Sequence, residues 1–288
     1  MGPDGRAGID AALVRRLVAA QFPRWRDLPV EPVEADGHDN RTYRLGPDLA
    51  VRLPTADGYV PAVAKEDRWL PVLAPHLPLA VPEPVALGEP TAEFPRPWSV
   101  RRWIDGVPVT EDLDQEQFAL DLAGFLTALW SLDASDGPGA GVATFHRGAS
   151  VAAYDEATRS YLAELGLDDQ GLWDDALASA WDSPAVWFHG DVAVGNLLQR
   201  DDRLAAVIDF GTSGVGDPAC DLVIAWTFLE DRAREAFRSA VALDEATWAR
   251  ARGWAFWKAL LGLVHDPASY VDRRTVARVL EDHLAIRR

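Results

Sequence analysis

The sequence predicts an α+β fold of two lobes, a small antiparallel β-rich lobe followed by a larger, mainly helical one. Three observations carry this expectation. Short strand-like runs separated by hairpin residues fill the first hundred positions, and helical periodicity takes over from Leu113. Between residues 186 and 221 a turn-rich segment with several polar side chains interrupts that periodicity. The division is placed at 103/104, giving an N-terminal lobe of residues 1–103 and a C-terminal lobe of residues 104–288.

In chain order, IDAALVRRLVAAQF (9–22) sets apolar residues at helical spacing with Arg15 and Arg16 on the opposite face. LPVEPVEA (28–35), NRTYRLG (40–46) and LAVRLP (49–54) read as strands, with Gly37, Asp39, Gly46, Pro47 and Asp48 in the turns. A helix is expected over VAKEDRWLPVLAPHL (63–77), broken near Pro71 or Pro75, because proline lacks the amide a helix interior needs. PEPVALGEP and PWSVRRWI follow as strands whose prolines suit a sheet edge. DLDQEQFALDLAGFLTALWSLDAS opens with an acidic first turn and repeats Phe118, Leu122, Phe125, Leu126 and Leu129 on one face. DGPGAGVATFHRG (136–148) is a loop. Helices are expected near 150–164 and 170–181, then over 221–229, 234–243 and 246–263. The last carries Trp248, Trp254, Phe256 and Trp257, a cluster suited to core packing.

Composition narrows the function. With 48% apolar and 25% charged residues the balance is that of a soluble globular protein. Charge-free apolar runs such as ALLGLV (259–264) fall far short of the roughly 20 residues a bilayer span needs. Asp10, Arg15 and Arg16 interrupt every candidate signal-peptide core. Cys220 is the single cysteine, which excludes an intrachain disulfide and a thiolate metal cluster and suits a reducing cytoplasm. Residues 1–104 hold 13 basic and 14 acidic side chains, whereas residues 105–288 hold 15 and 31. That acidic excess disfavours nucleic acid and anionic membranes as partners, and solubility alone can also account for it. The chain has 26 arginines and only two lysines, Lys65 and Lys258, read as a bias towards GC-rich codons.

The chemistry concentrates in VWFHGDVAVGNLL (186–198) and AAVIDFG (205–211). Asp191 lies two residues after His189, Asn196 follows five residues later, and Asp209 ends an apolar β-like run. Two carboxylates and one amide oxygen on neighbouring loops are what phosphoryl transfer asks of a protein. One carboxylate accepts from the attacking hydroxyl; the other, with the amide, holds Mg²⁺ against nucleotide phosphates. No GxxxxGK[ST] and no GxGxxG is present.

HGDVAVGN, then IDFG, then GDPACDL, between a β-rich first lobe and a helical second, resemble the aminoglycoside phosphotransferase family. The resemblance runs through essentially the whole chain and implies a protein-kinase-like fold and an Mg²⁺-dependent small-molecule kinase using ATP or GTP. It makes Asp191 the general base and Asn196 and Asp209 the metal ligands. Arg52, in LAVRLP, stands where protein kinases carry a phosphate-pairing lysine, with Glu66 as its ion-pair partner. The hairpin around Gly37 would cover the phosphates, and the carbonyl of Arg102 with the amide of Ile104 would read the base. His189 would order the catalytic loop, and Asp217 and Asp221 would cap a helix and brace that loop.

An aminoglycoside-type antibiotic is the expected acceptor, inactivated by phosphorylation. Segment 136–180, with eight acidic and two basic side chains, would then line a cleft for a polycation, or form the wet faces of amphipathic helices. Trp226 is a candidate to line the same pocket. Kinases of homoserine, choline, ketosamines or macrolides share these motifs, and a non-catalytic pseudokinase is the reading from outside the enzymes.

Overall fold

The computed structural model describes residues 6–33 and 37–286. The first lobe is built on a sheet of five antiparallel strands: β1 (Val30–Pro32), β2 (Asn40–Leu45), β3 (Leu49–Pro54), β4 (Pro84–Gly88) and β5 (Trp98–Arg102). Their order is β1-β2-β3-β5-β4, so the proline-rich β4 is an edge strand, as its composition predicts. The expected first strand is shorter than its sequence pattern, and residues 34 and 35 of it lie outside the described residues.

Strand alternation divides this sheet into a core face and a cleft face. Tyr43, Leu45, Val51, Leu53 and Val100 pack with Leu13, Val14, Leu17 and Val18 of α1 (Ala11–Gln21). Asp10 caps that helix by accepting from the Leu13 amide. Thr42, Ala50, Arg52, Ser99 and Arg101 share the other face, because Thr42 pairs with Arg52, Arg52 with Ser99, and Ala50 with Arg101. Helix α2 (Val60–Leu73) lies against it and brings Glu66 to Arg52 and Arg101.

Of the two prolines at which a break is expected, the helix runs unbroken past Pro71 and ends at Leu73, just before Pro75, which lies in a 3-10 turn at Ala74–His76. Pro71 is on the exposed face, where water can serve the carbonyl left without an amide.

The second lobe holds α3 (Gln115–Trp130), α4 (Asp155–Leu165), α5 (Gln170–Ala178), α6 (Ile224–Thr227), α7 (Asp231–Val241), α8 (Glu245–His265) and α9 (Tyr270–Ile286). Helix α8 is buried on nearly all sides, and its Trp248, Trp254, Phe256 and Leu260 join Leu122, Phe125 and Leu126 of α3 in one core. The buried Arg250 and Arg252 on the same helix are neutralised by Asp217 at 2.6 Å and Asp282 at 3.0 Å. Three short strands, β6 (Val107–Pro108), β8 (Leu197–Arg200) and β9 (Arg203–Val207), form a small sheet under the cleft. β7 (Val186–Phe188) pairs with β10 (Gly214–Gly216).

Two helices differ from the sequence pattern. The run expected at 150–164 begins as a 3-10 turn at Val151–Tyr154, and the run expected at 221–229 is a 3-10 segment, Pro218–Val223, followed by the single turn α6. Proline at 218 and the Asp217 cap, which accepts from the Ala219 amide, favour tight turns there. Trp226 is buried and meets Trp248 edge-on at 5.7 Å, so it belongs to the core. Among the described residues no helix is long and apolar enough to cross a membrane.

Candidate active site

A cavity of about 460 Å³ lies between the lobes, a size typical of small-molecule sites. Six of the eight residues singled out by the motifs line it: Gly37, Arg52, Arg102, Ile104, Asn196 and Asp209. Ala50 from the sheet and Leu198 and Ile208 from the second lobe give one part apolar walls suited to a planar base. The inter-lobe segment with Arg102 and Ile104 borders that part, while Arg52, Asn196 and Asp209 supply a charged part suited to phosphates.

Glu66 stands behind the charged part at 4% exposure, and it accepts from Arg52 at 3.3 Å as expected. Its nearer partner is Arg101 at 2.9 Å, and the Phe210 amide donates to it at 3.1 Å. Burial pushes the Glu66 carboxyl up, but Arg101 and Arg52 outweigh burial and hold it below the ordinary range. Arg52 is not a solvated surface side chain: it is 14% exposed and bridges Glu66 to Asp209 at 3.1 Å. Despite burial, Asp209 and Glu66 hold its guanidinium firmly charged.

Asp209 sits in the left-handed backbone region (φ 65°), which aspartate tolerates better than most residues. The position lies two residues after β9, and its side chain lines the cavity. Lys65, on α2 next to Glu66, donates to the carbonyls of Gly211 and Ser213, each at 2.7 Å, and so fastens the loop after Asp209. Burial pulls its ammonium down to about 8.

Asp191 lies beside the cavity and is tied to Asn196, whose amide nitrogen donates to the Asp191 carbonyl at 2.9 Å and its carboxylate at 3.0 Å. Spending the nitrogen this way leaves the Asn196 side-chain oxygen for another partner. The Ile208 amide donates to the Asn196 carbonyl at 2.8 Å, which locks this loop to the strand end before Asp209. The three oxygen-bearing side chains thus converge. Lys258 of α8 donates to the other Asp191 oxygen at 2.6 Å. Burial raises the Asp191 carboxyl, but the charge and hydrogen bond of Lys258, with Arg147 adding to them, hold the group below the usual carboxylate range.

The loop's conformation is fixed from behind. Buried Asp221 accepts from the amides of His189 at 3.0 Å and Gly190 at 2.7 Å and from the Trp130 indole at 3.1 Å. With no cation paired to it, burial pushes its carboxyl up. The Asp191 amide can only donate, so it gives its proton to His189 Nδ1 at 3.2 Å. The imidazole proton then sits on Nε2, which donates to the Ile208 carbonyl at 3.0 Å. Histidine, asparagine and Asp221 act as struts here.

Sequence reasoning missed Arg101, Lys65 and Lys258. A signal existed for the lysines: a chain with 26 arginines keeps two lysines, and both contact the catalytic segment. Of the two readings of segment 136–180, the positions of its carboxylates favour wet helix faces over a lined cleft. None of its eight carboxylates lines either the cavity or the recess at Asp191; Asp155 and Asp174 are bound to Arg159, and Asp175 approaches His283.

Asn196 and Asp209 suit Mg²⁺ as a pair of hard oxygen donors, one neutral and one charged, on one wall of the cavity. Among the described residues no cluster of three or more His, Cys, Asp or Glu side chains is poised for a metal. Two protein oxygens are what a magnesium shared with phosphates and water requires.

The sequence model of the phosphotransferase enzyme family matches residues 30–254. The fold is similar to the GDP and kanamycin complex of APH(2")-IIia, at 18% identity and a TM-score of 0.71, covering 95% of this chain and 99% of that one. It is also similar to the streptomycin–ATP ternary complex of APH(2")-IIa, at 18% identity and a TM-score of 0.62, over 95% and 96% of the two chains. A third similar structure is the apoenzyme of macrolide 2'-phosphotransferase MphH from Brachybacterium faecium, at 24% identity and a TM-score of 0.60, over 94% and 97%. No curated protein matches the sequence.

Proposed function

The chain belongs to the phosphotransferase enzyme family, the aminoglycoside phosphotransferase type expected from its motifs, and from that premise we propose the reaction and its residues. The protein moves the γ-phosphate of ATP or GTP to a hydroxyl of a small molecule. The observation that carries this reading is the inter-lobe cavity, which gathers Arg52, Asn196 and Asp209 next to Asp191. We place the boundary between a nucleotide-covering lobe and a catalytic lobe at 103/104, and the protein, with its single buried cysteine, in the cytoplasm.

Asp191 accepts a hydrogen bond from the acceptor hydroxyl and orients it. As the hydroxyl oxygen bonds to the γ-phosphorus, the bond to the β–γ bridging oxygen breaks. The diphosphate leaves with the bonding pair, and the hydroxyl proton passes to Asp191. A carboxylate held below its usual range is a weak base, which is adequate where the proton moves late and positioning dominates. Arg52 pairs with donor phosphates, and Glu66 with Lys65 fixes Arg52 and the Asp209 loop. Asn196 and Asp209 would hold Mg²⁺, which supplies neutralisation of phosphate charge when bound. The backbone at Arg102 and Ile104 reads the base, and the hairpin at Gly37 covers the phosphates.

For the acceptor, the family resemblance supports an aminoglycoside-type antibiotic. A second reading, a metabolite or macrolide, is favoured by the absence of carboxylates from segment 136–180 around Asp191. Incubation with Mg²⁺, ATP or GTP and a panel of hydroxylated acceptors, read by mass spectrometry, tests the proposal. Phosphorylated product that depends on Asp191 is expected. Failure to bind either nucleotide would end the phosphotransferase reading.

A further inference from the structure

Beside Asp191, a recess that shares no lining residue with the inter-lobe cavity has room for about one water and is walled by Arg147, Val192, Trp254, Trp257 and Lys258. Its charges run against the chain as a whole. The protein carries 45 acidic and 28 basic side chains, yet this recess holds two cations and a single carboxylate, Asp191 itself. Lys258 is spent on Asp191, but Arg147 forms no salt bridge among the described residues. Its guanidinium rests over Trp257 at 4.6 Å and Trp254 at 5.3 Å, and Tyr154 stacks on Trp257 at 4.1 Å. Its one hydrogen bond is to the Phe145 carbonyl at the outer limit of 3.5 Å. Aromatic packing therefore fixes a charged, planar, five-donor group in place while leaving most of its donors unspent.

The loop that delivers Arg147 is strained. Phe145 and His146 both take left-handed backbone conformations (φ 49° and 55°), which cost non-glycine residues energy and collect at functional sites. The loop is held by the Tyr154 hydroxyl, which donates to the Phe145 carbonyl at 2.9 Å. It leaves Phe145 38% exposed, its ring 6.0 Å from that of Tyr59 in the first lobe.

Resting on the phosphotransferase reading, we propose that the acceptor is a hydroxylated small molecule carrying a carboxylate. Arg147, braced on Trp254 and Trp257, and the remaining ammonium donors of Lys258 hold the carboxylate, and this places a neighbouring hydroxyl at Asp191. A guanidinium meets a carboxylate with two parallel hydrogen bonds, and Lys258 adds a point charge between acceptor and base. The recess is small, so it receives only that polar arm and the rest of the acceptor lies outside it. The proposal thus follows the second of the two acceptor readings: a polycation meets these charges unfavourably, because it would have to displace Lys258 from Asp191 and face Arg147 unneutralised.

The experiment uses the full-length protein saturated with Mg²⁺ and a non-hydrolysable nucleotide. Binding is measured by calorimetry for matched sets of acceptors: a uronic acid, its parent hexose and the corresponding amino sugar, and hydroxy acids with their amides. Acids are expected to bind at least about tenfold more tightly than their neutral or cationic counterparts, the size of one charge-assisted contact. Arg147→Gln should bring that ratio to near unity, and Arg147→Lys should restore part of it. Equal or tighter binding of the amines, a preference that survives Arg147→Gln, or no binding in any class while nucleotide still binds would each overturn the proposal. Loss of nucleotide binding by the unaltered protein would instead count against the phosphotransferase reading.

Discussion

Glutamine in place of Glu66 keeps the side chain's shape and removes the charge that holds two arginines in the inter-lobe wall. Glu66 is the only salt-bridge partner of Arg101 among the described residues, and Arg101 is 2% exposed. In Glu66→Gln the new NH2 group faces a guanidinium donor to donor, and Arg101 is left buried without a counter-ion. Breaking one side of a buried pair costs roughly 3–5 kcal/mol. The Phe210 amide can still be satisfied by the remaining oxygen, and Asp209 still serves Arg52, so the lower end, about 3 kcal/mol, is expected. For a protein of this size that lowers Tm by roughly 6–12 °C. The Glu66 carboxyl is held below its ordinary value of 4.5, so its stabilisation is complete above that pH and disappears as pH falls through the depressed value. Urea unfolding of both proteins at neutral and acidic pH measures this. A loss below about 1 kcal/mol at neutral pH, or a gap that does not narrow in acid, would refute the reasoning.

Lys258→Met removes the largest influence holding the Asp191 carboxyl down, so the acidic limb of the kcat/KM profile should move to higher pH; an unmoved limb would show that Lys258 does not act on the base. Between about 8 and its ordinary 10.5, Lys65 gives up a proton in the folded chain that the unfolded chain keeps, so stability contributed there rises with pH. Denaturant titrations across that window should show the rise in the unaltered protein and not in Lys65→Met. Gly190 has φ +88°, and a Cβ there would lie 2.9 Å from the Thr212 carbonyl oxygen, so Gly190→Ala should cost at least about 1 kcal/mol and depress kcat by displacing Asp191. Unchanged stability and turnover in that variant would mean the loop is looser than its hydrogen bonds imply.

Local periodicity carried much of the fold into the sequence. Apolar residues of α1, α3 and α8 repeat at helical spacing, and the alternation along β2 and β3 placed Thr42, Ala50 and Arg52 on one face. What tertiary contact decides was not legible. Arg101 looks like any strand residue until its pairing with Ala50 puts it on the Glu66 face. Lys258 is 67 positions from Asp191 and inside a tryptophan-rich helix, where a core reading is natural. The acidic residues between 155 and 175 suggested a cationic ligand by number alone; Arg159 and outward-facing helix positions absorb several of them. Arg147 carried no motif, and its placement depends on two strained residues and an aromatic shelf from α8.

Asp191→Asn tests the account most directly, because asparagine preserves the shape beside Asn196 and Lys258 and removes the proton acceptor. Single-turnover transfer from Mg²⁺-nucleotide to an accepted substrate should fall by roughly 10²–10⁴-fold, while nucleotide affinity, set by Arg52 and the apolar walls, is retained. Transfer at the unaltered rate would contradict the assignment of Asp191 and with it the mechanism.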